Sequence, residues 1–154
     1  MIRRARSDEA ETLLQIQRDA AVAAFAHIFP QHLYPFPSCD IRELWRKALA
    51  DPDVEVYVAE ADRLVIGSVS VGGEFLRTLY VLPPHQSTGV GSALHEFALE
   101  RLRTRGVQRA KLWTLEQNWP ARRFYERRGW SLTPEVRVVP FPPNPIDVRY
   151  TREL

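Results

Sequence analysis

A strand-forming run, Leu79-Tyr80-Val81-Leu82, stops at Pro83-Pro84, passes through Gln86-Ser87-Thr88-Gly89-Val90-Gly91 and enters a helical stripe. That arrangement constrains the fold more than any other part of the chain. Proline has no N–H to give a strand ladder, so it ends the run. Val90, Ala93, Leu94, Phe97, Ala98 and Leu102 repeat at helical spacing, and Gly106 supplies the stop. A new strand, Arg109 to Leu115, follows. Such a strand–loop–helix–strand unit returns its second strand parallel to the first through a right-handed crossover. The loop also carries chemistry. Backbone N–H groups at a helix start meet the positive end of the dipole and form an anion site. Gly89 and Gly91 let a bulky polyanion approach the backbone, while Thr88 and Ser92 can add hydroxyl donors. The expected ligand group is a phosphate or pyrophosphate. The alternative is a tight turn whose glycines serve geometry only.

The flanking segments alternate in type. Ile2 to Ala5 reads as a short strand, and Ser7 as the cap of a helix with Asp8 and Glu9 in its first turn. Apolar residues from Ala10 to Phe25 continue in helical spacing, in one helix or two, until the prolines between Phe29 and Pro37. A further helix starts at Ser38 or Asp40, with Ile41, Leu44, Trp45, Ala48 and Leu49 as its inward stripe. Val54 to Val58 and Leu64 to Val71 read as a hairpin joined through Ala61-Asp62-Arg63. Gly72-Gly73 turns into the strand Glu74 to Leu82. After Leu115 come a short helix, Pro120 to Arg128, and two strands, Trp130 to Val139 and Ile146 to Arg152, around Pro140 to Pro145. The order β-α-α-β-β-β-α-β-α-β-β describes one α/β domain over residues 1–154, with a mixed, mostly antiparallel sheet flanked by helices.

Composition narrows the function classes. A net charge of +2 does not argue for nucleic acid, although Arg101, Arg103 and Arg105 form a local basic cluster. The single cysteine, Cys39, excludes an internal disulfide framework, suits a reducing cytoplasm, and lacks a histidine motif that would make it a nucleophile. No export signal is expected at the basic start, and no apolar run approaches the roughly 20 residues of a membrane helix. His27, His32, His85 and His95 lack metal-ligand spacing, so no metal is expected.

Three phosphate-binding patterns compete for the loop. A P-loop requires a lysine after the last glycine, and none follows Gly91. The dinucleotide fingerprint requires a third glycine or alanine where Leu94 stands. Gln-x-x-Gly-x-Gly after a strand is the pattern that fits. Downstream, Asn118, Ala121, Phe124, Tyr125, Gly129 and Trp130 spell Asn-x-x-Ala-x-x-Phe-Tyr-x-x-x-Gly-Trp. The two motifs, with the order of elements, resemble the general N-acetyltransferase (GNAT) superfamily over most of the chain. Ser87 and Thr88 depart from the family's frequent glycine and basic residue, which removes a cation beside the phosphates while leaving the backbone donors.

The resemblance implies acetyl-CoA in a V-shaped opening between the strand ending at Val81 and the strand Arg109 to Leu115. Its pyrophosphate would lie on Gln86, Ser87, Thr88, Gly89, Val90 and Gly91 with Ser92 close by. Its pantetheine arm would pair with backbone at Leu79, Tyr80 and Val81, Asn118 would bond the arm, and Ala121 would leave it room. Direct attack by an amine on the thioester then needs a neutral amine, an oxyanion donor and a proton for the thiolate. The resemblance suggests a backbone N–H near Val81 as the oxyanion donor and Tyr125 as the acid. Tyr125 also reads as a core aromatic. Glu74 is the expected base, alongside a reading as a solvent-facing strand residue; Asp147, His27 and Glu116 are weaker candidates. Trp119, in the turn beside Asn118, is expected to pack. The acceptor side would be built from His27 to Pro37 and Pro140 to Pro145, with His27, Phe29, Tyr34 and Phe141 as its wall. The acceptor is a small-molecule or protein amine, and a homodimer is allowed. Two other readings stay open: a catalytically idle acyl-CoA-binding sensor or interaction module, and a nucleotide-binding domain using the same loop.

Overall fold

The computed structural model describes residues 1–154. Seven strands form one sheet: β1 (Ile2–Arg4), β2 (Val54–Ala61), β3 (Leu64–Gly72), β4 (Phe75–Val81), β5 (Arg109–Leu115), β6 (Ser131–Val138) and β7 (Ile146–Glu153), in the order β1-β2-β3-β4-β5-β7-β6. The helices are α1 (Ala10–Ala24), α2 (Ser38–Ala50), α3 (Val90–Thr104) and α4 (Trp119–Glu126). Every strand pairing is antiparallel except β4 with β5. Helices cover both faces. Leu94, Ala98, Leu99 and Leu102 of α3 join Tyr125 of α4 against one side of the sheet. Leu13 and Leu14 of α1 pack with Ile41 and Trp45 of α2 on the other. No helix is long and apolar enough to cross a membrane.

Local chemistry explains most element ends. Asp62 and Arg63, at φ 50° and 66°, form the two-residue turn between β2 and β3, a left-handed pair that matches strand twist. Pro83 opens a single 3-10 turn, Pro83–His85, immediately beyond β4. The register of β3 with β4 slips between Ser70↔Thr78 and Val71↔Leu76, leaving Arg77 as the extra residue of a bulge. In β6, Pro134 has no N–H to donate, and pairing with β7 is interrupted between Leu132 and Val136.

Three sequence expectations need correction. Helix α1 begins at Ala10, not at a cap on Ser7, and is one helix. The Glu9 carboxylate governs that start: it accepts the Arg6 N–H at 2.7 Å and the Arg3 guanidinium at 2.7 and 3.1 Å. A glutamate reaching back three residues in this way satisfies an otherwise orphaned amide. Leu44, expected in the inward stripe of α2, is 53% exposed and lines a cleft, while Ile41 and Trp45 are buried and Ala48 and Leu49 pack beside them. The short helix runs from Trp119 to Glu126, one residue earlier than Pro120 at its start and two residues short of Arg128 at its end.

The basic cluster noticed in the sequence is structural. Glu55 on β2 receives Arg101 of α3 and Arg105 just after it at 2.9 Å each, Arg4 at 3.7 Å and the Tyr57 hydroxyl at 2.6 Å. Burial alone would raise the Glu55 carboxyl, but the Tyr57, Arg105 and Arg101 donors outweigh it and lower the pKa to about 2. This contribution to stability is full above the usual carboxylate range and fades as pH falls from about 4.5 toward 2. Glu55→Ala should cost about 2–3 kcal/mol at pH 7, since it strands two half-exposed guanidiniums against the sheet. Urea unfolding at pH 7 and pH 3 checks this, with a smaller difference between variant and parent at pH 3.

Candidate active site

Strands β4 and β5 pair at a single position, Phe75↔Lys111, supported by Lys111 N–H to the Glu74 carbonyl at 3.0 Å. Beyond it they part. In an antiparallel ladder alternate residues direct their N–H and C=O groups to opposite edges. Leu82 N–H donates to the Ile66 carbonyl at 2.9 Å, so Leu79 and Val81, in the other phase, direct their backbone groups toward β5. Nothing in β5 meets them there. The gap opens into a cleft of about 990 Å³ bounded by β4, β5, α1, the 25–37 connection, α4 and the β6–β7 loop. Leu79, Tyr80, Asn118, Ala121 and Tyr125 line it; Val81 points its side chain to Gly91 instead.

At the far end of β4 the loop takes the geometry of an anion cradle. Ser87 and Gly89 have φ of 63° and 91°, and no N–H from Ser87 to Ser92 donates to an acceptor within the protein. A Cβ at Gly89 would meet nothing, so the space above the loop is open. Side chains in the loop are partly occupied. Gln86 Nε2 donates to the Val81 carbonyl at 3.0 Å and ties the loop to the strand end. The Thr88 hydroxyl donates to the His85 carbonyl, which removes it as an anion donor. Ser92 Oγ accepts Arg128 Nη2 at 2.6 Å and keeps its own proton free.

Arg128, which the sequence analysis passed over, also stacks on the Phe124 ring at 3.6 Å, donates to the Phe124 carbonyl at 3.0 Å and makes no ion pair with an acid. That ring lies 3.7 Å from the position a Cβ at Gly91 would take. A held, uncompensated guanidinium therefore sits at the first turn of α3. The four-residue spacing from Phe124 to Arg128 was its only sequence signal.

Tyr125 is buried, with its ring edge-on to Phe124 at 5.3 Å and to Trp130 at 5.9 Å. Burial, and secondarily the neighbouring Tyr80, push its phenol well above the ordinary range, so it remains protonated at neutral pH. Behind it lies His95, completely buried, whose Nε2 accepts the Trp130 indole N–H at 2.9 Å. Indole only donates, so His95 is neutral with its proton on Nδ1, consistent with a pKa lowered by burial. Helix α4 is itself anchored. Asn118 Oδ1 accepts the Ala121 N–H at 3.4 Å, leaving its amide NH2 available to the cleft. Arg122, also unforeseen, is buried, donating to the Tyr150 hydroxyl and the Glu116 carbonyl at 2.9 Å each while stacking on Trp119 at 4.6 Å. Trp119, expected to pack, is instead 53% exposed and carries the Arg122 guanidinium on its ring. Arg122 thus fixes the start of α4, and with it Asn118 and Tyr125, against β5 and β7.

Of the expected site residues, Val81, Gln86 to Ser92 and Glu116 lie outside the lining of the cleft, as do Glu74 and His27. Glu74 lies at the closed end of the β4–β5 gap, where Lys111 binds it at 2.8 Å and holds its carboxyl below the usual range. His27 is exposed, and its Nε2 meets the Gln117 carbonyl at 3.1 Å, joining the α1–α2 connection to the turn before α4. Phe29, Tyr34 and Phe141 do line the cleft. The buried acid that faces it is Asp147 on β7, bound to Arg137 at 2.9 Å. Beside it the Tyr80 phenol is pushed up to about 12 by burial and, to a lesser degree, by the Asp147 charge.

Known proteins resemble this chain in sequence and in fold. The family model for the acetyltransferase (GNAT) family matches residues 21–130. An uncharacterized N-acetyltransferase of Archaeoglobus fulgidus is 31% identical over 97 residues, 56% of this chain and 66% of that protein. An aminoalkylphosphonate N-acetyltransferase of Salmonella typhimurium is 32% identical over 93 residues, 54% of this chain and 60% of that protein. The chain thus spans slightly under two thirds of the length of both curated relatives. Among solved structures, the PaiA N-acetyltransferase of Thermoplasma acidophilum in complex with coenzyme A superposes with a TM-score of 0.80 at 20% identity, covering 100% of this chain and 98% of that one. A parted β4–β5 pair, a free-amide loop opening α3 and a match over most of the sequence converge: this chain belongs to the acetyltransferase (GNAT) family.

Proposed function

We propose that this protein transfers the acetyl group of acetyl-CoA to a primary amine by direct attack. The observation that carries the reading is the cleft between the parted strands β4 and β5, lined by Leu79, Tyr80, Asn118 and Tyr125, together with the free amides from Ser87 to Ser92 just beyond the end of β4. The pantetheine amides extend the sheet along Leu79 to Val81, and the pyrophosphate receives the loop amides and the Ser92 hydroxyl. Arg128 replaces the cation that the loop itself lacks. The Asn118 amide NH2 bonds a carbonyl of the arm.

In the reaction the amine lone pair forms a C–N bond to the thioester carbon, and the carbonyl π pair moves onto oxygen. The N–H of Val81 receives that oxyanion. As the carbonyl re-forms, the C–S bond breaks and its electrons leave on sulfur. Tyr125 donates its proton there and is reprotonated from solvent, while the amine nitrogen releases one proton to water. Products are the acetamide and the CoA thiol. Glu74 has no part in this scheme, because its ion pair with Lys111 keeps it at the closed end of the gap.

Tyr125→Phe should lower kcat on the order of a hundredfold or more while changing the Kd for acetyl-CoA by less than about threefold; stopped-flow thiol release and calorimetry separate the two. Since burial raises the Tyr125 phenol, the rate should climb with pH as the acceptor amine deprotonates, with no fall caused by Tyr125 below pH 10. Arg128→Met should weaken CoA and 3′-dephospho-CoA alike, by about tenfold, and flatten the salt dependence of binding. A loss confined to CoA would move Arg128 to the 3′-phosphate. Gly89→Val should also weaken CoA, by placing a side chain in the open space above the loop and straining a residue at φ 91°. Stabilisation by ATP but not by CoA would overturn the whole reading, and CoA binding without turnover of any amine would leave an idle acyl-CoA-binding module.

A further inference from the structure

We propose that the acceptor carries a carboxylate as well as its amine, on an apolar body, and that the carboxylate docks on Arg77; the amine half of this statement rests on the acetyl-transfer reading above. Only three charged side chains line the large cleft: Arg77, Arg137 and Asp147. Two of them satisfy each other. Arg137 Nε binds Asp147 Oδ2 at 2.9 Å, and its guanidinium stacks on Trp113 at 4.6 Å. Arg77 has no such partner: no carboxylate lies within ion-pair range of it, and it makes no side-chain hydrogen bond.

The backbone puts it there. Arg77 is the extra residue of the β4 bulge, so its side chain leaves the regular alternation of the strand. Its stem runs across Gly72, where a Cβ would come within 2.9 Å of Cδ. Glycine at 72 is what lets the stem lie flat on the sheet. The guanidinium then borders both the main cleft and the adjoining groove under α2, whose additional charged groups are Lys47 and Asp51. Asp51 is engaged by the Asp53 N–H at 2.9 Å. The acceptor side therefore holds an excess of positive charge at its mouth and one acid, already paired, deeper in.

That balance selects among amines. A polyamine or aminoglycoside would bring several cations to a wall with one paired carboxylate. An arylalkylamine without a carboxylate would suit Phe29, Tyr34, Phe36 and Phe141 but leave Arg77 unmet. An amine with an apolar body and a carboxylate uses both. Asp147 Oδ1 takes no donor from the protein, so it is free to orient the amine beside Tyr80. Three residues of strand, about 10 Å, separate Arg77 from Tyr80, a span the arginine stem and the acceptor share.

Matched pairs that differ in charge and hardly in shape test this: phenylalanine against phenylalaninamide, and 4-(aminomethyl)benzoate against 4-(aminomethyl)benzamide. Binding is measured by calorimetry with and without CoA, and turnover by CoA-thiol release from acetyl-CoA. At least one carboxylate member should bind about tenfold or more tightly than its amide. Arg77→Ala should erase that gap, and Arg77→Lys should retain part of it, which separates charge from packing over Gly72. Equal or tighter binding of the amides, no binding by either carboxylate, or a gap that survives Arg77→Ala overturns the proposal. Failure of CoA to bind sinks the acetyl-transfer reading instead, because the CoA-free titrations still read the carboxylate preference.

Discussion

The parting of β4 from β5 is the constraint on which the rest of the molecule depends. Two neighbouring parallel strands that share one paired position leave backbone donors and acceptors open within the body of a sheet. Unpaired buried backbone is costly, so such a gap persists only where something else fills it or water reaches it. Here both rims are held from behind. The bulge at Arg77 re-aims β4 after its first residues, while β5 is gripped along its full length by β7. The sheet therefore cannot close the gap by sliding one strand, because each is registered on its outer side.

The helices follow from that gap. Helix α3 starts where β4 runs out, so its free amides face the end of the opening. Helix α4 starts where β5 runs out, so Asn118 and Tyr125 reach the opening from the side. Arg122 and Arg128 join these starts to the sheet and to each other's neighbourhood: one binds Tyr150 of β7, the other Ser92 of α3. Both are arginines without an acid partner, used for planar hydrogen bonding and ring stacking. The neutral, buried His95 completes the support by accepting the Trp130 indole N–H behind Tyr125.

Charge is segregated accordingly. Glu55, Glu9 and Glu60 take up arginines at the β1–β2 edge and on α3, where they join elements and leave the cleft alone. In the cleft one acid is paired and one arginine is not. The loop after β4 presents free amides, with Arg128 held against Ser92. The lining of the cleft and the loop beyond the end of β4 thus differ in chemistry.

Much of this was legible in the sequence. Proline after Leu82, glycine at 89 and 91 and the stripe from Val90 to Leu102 act over a few residues, so the loop and α3 could be read without knowing the fold. The same holds for the hairpin connection Ala61-Asp62-Arg63, which the fold trims to Asp62 and Arg63, and for Asn118, Ala121 and Tyr125 within one helical turn or two. What the sequence could not decide depends on partners distant along the chain. Glu74 looked like a base until Lys111, from the neighbouring strand, bound it; Leu44 matched a buried stripe until the cleft opened beneath it. Insertion of β7 between β5 and β6 is likewise invisible locally, yet it brings Asp147 of β7, with Arg137 of β6 bound to it, to the cleft. Periodicity, caps and glycine conformations are set by neighbouring residues and are written in order. The charge state and direction of a side chain are set by whatever packs against it, and only the tertiary structure supplies that.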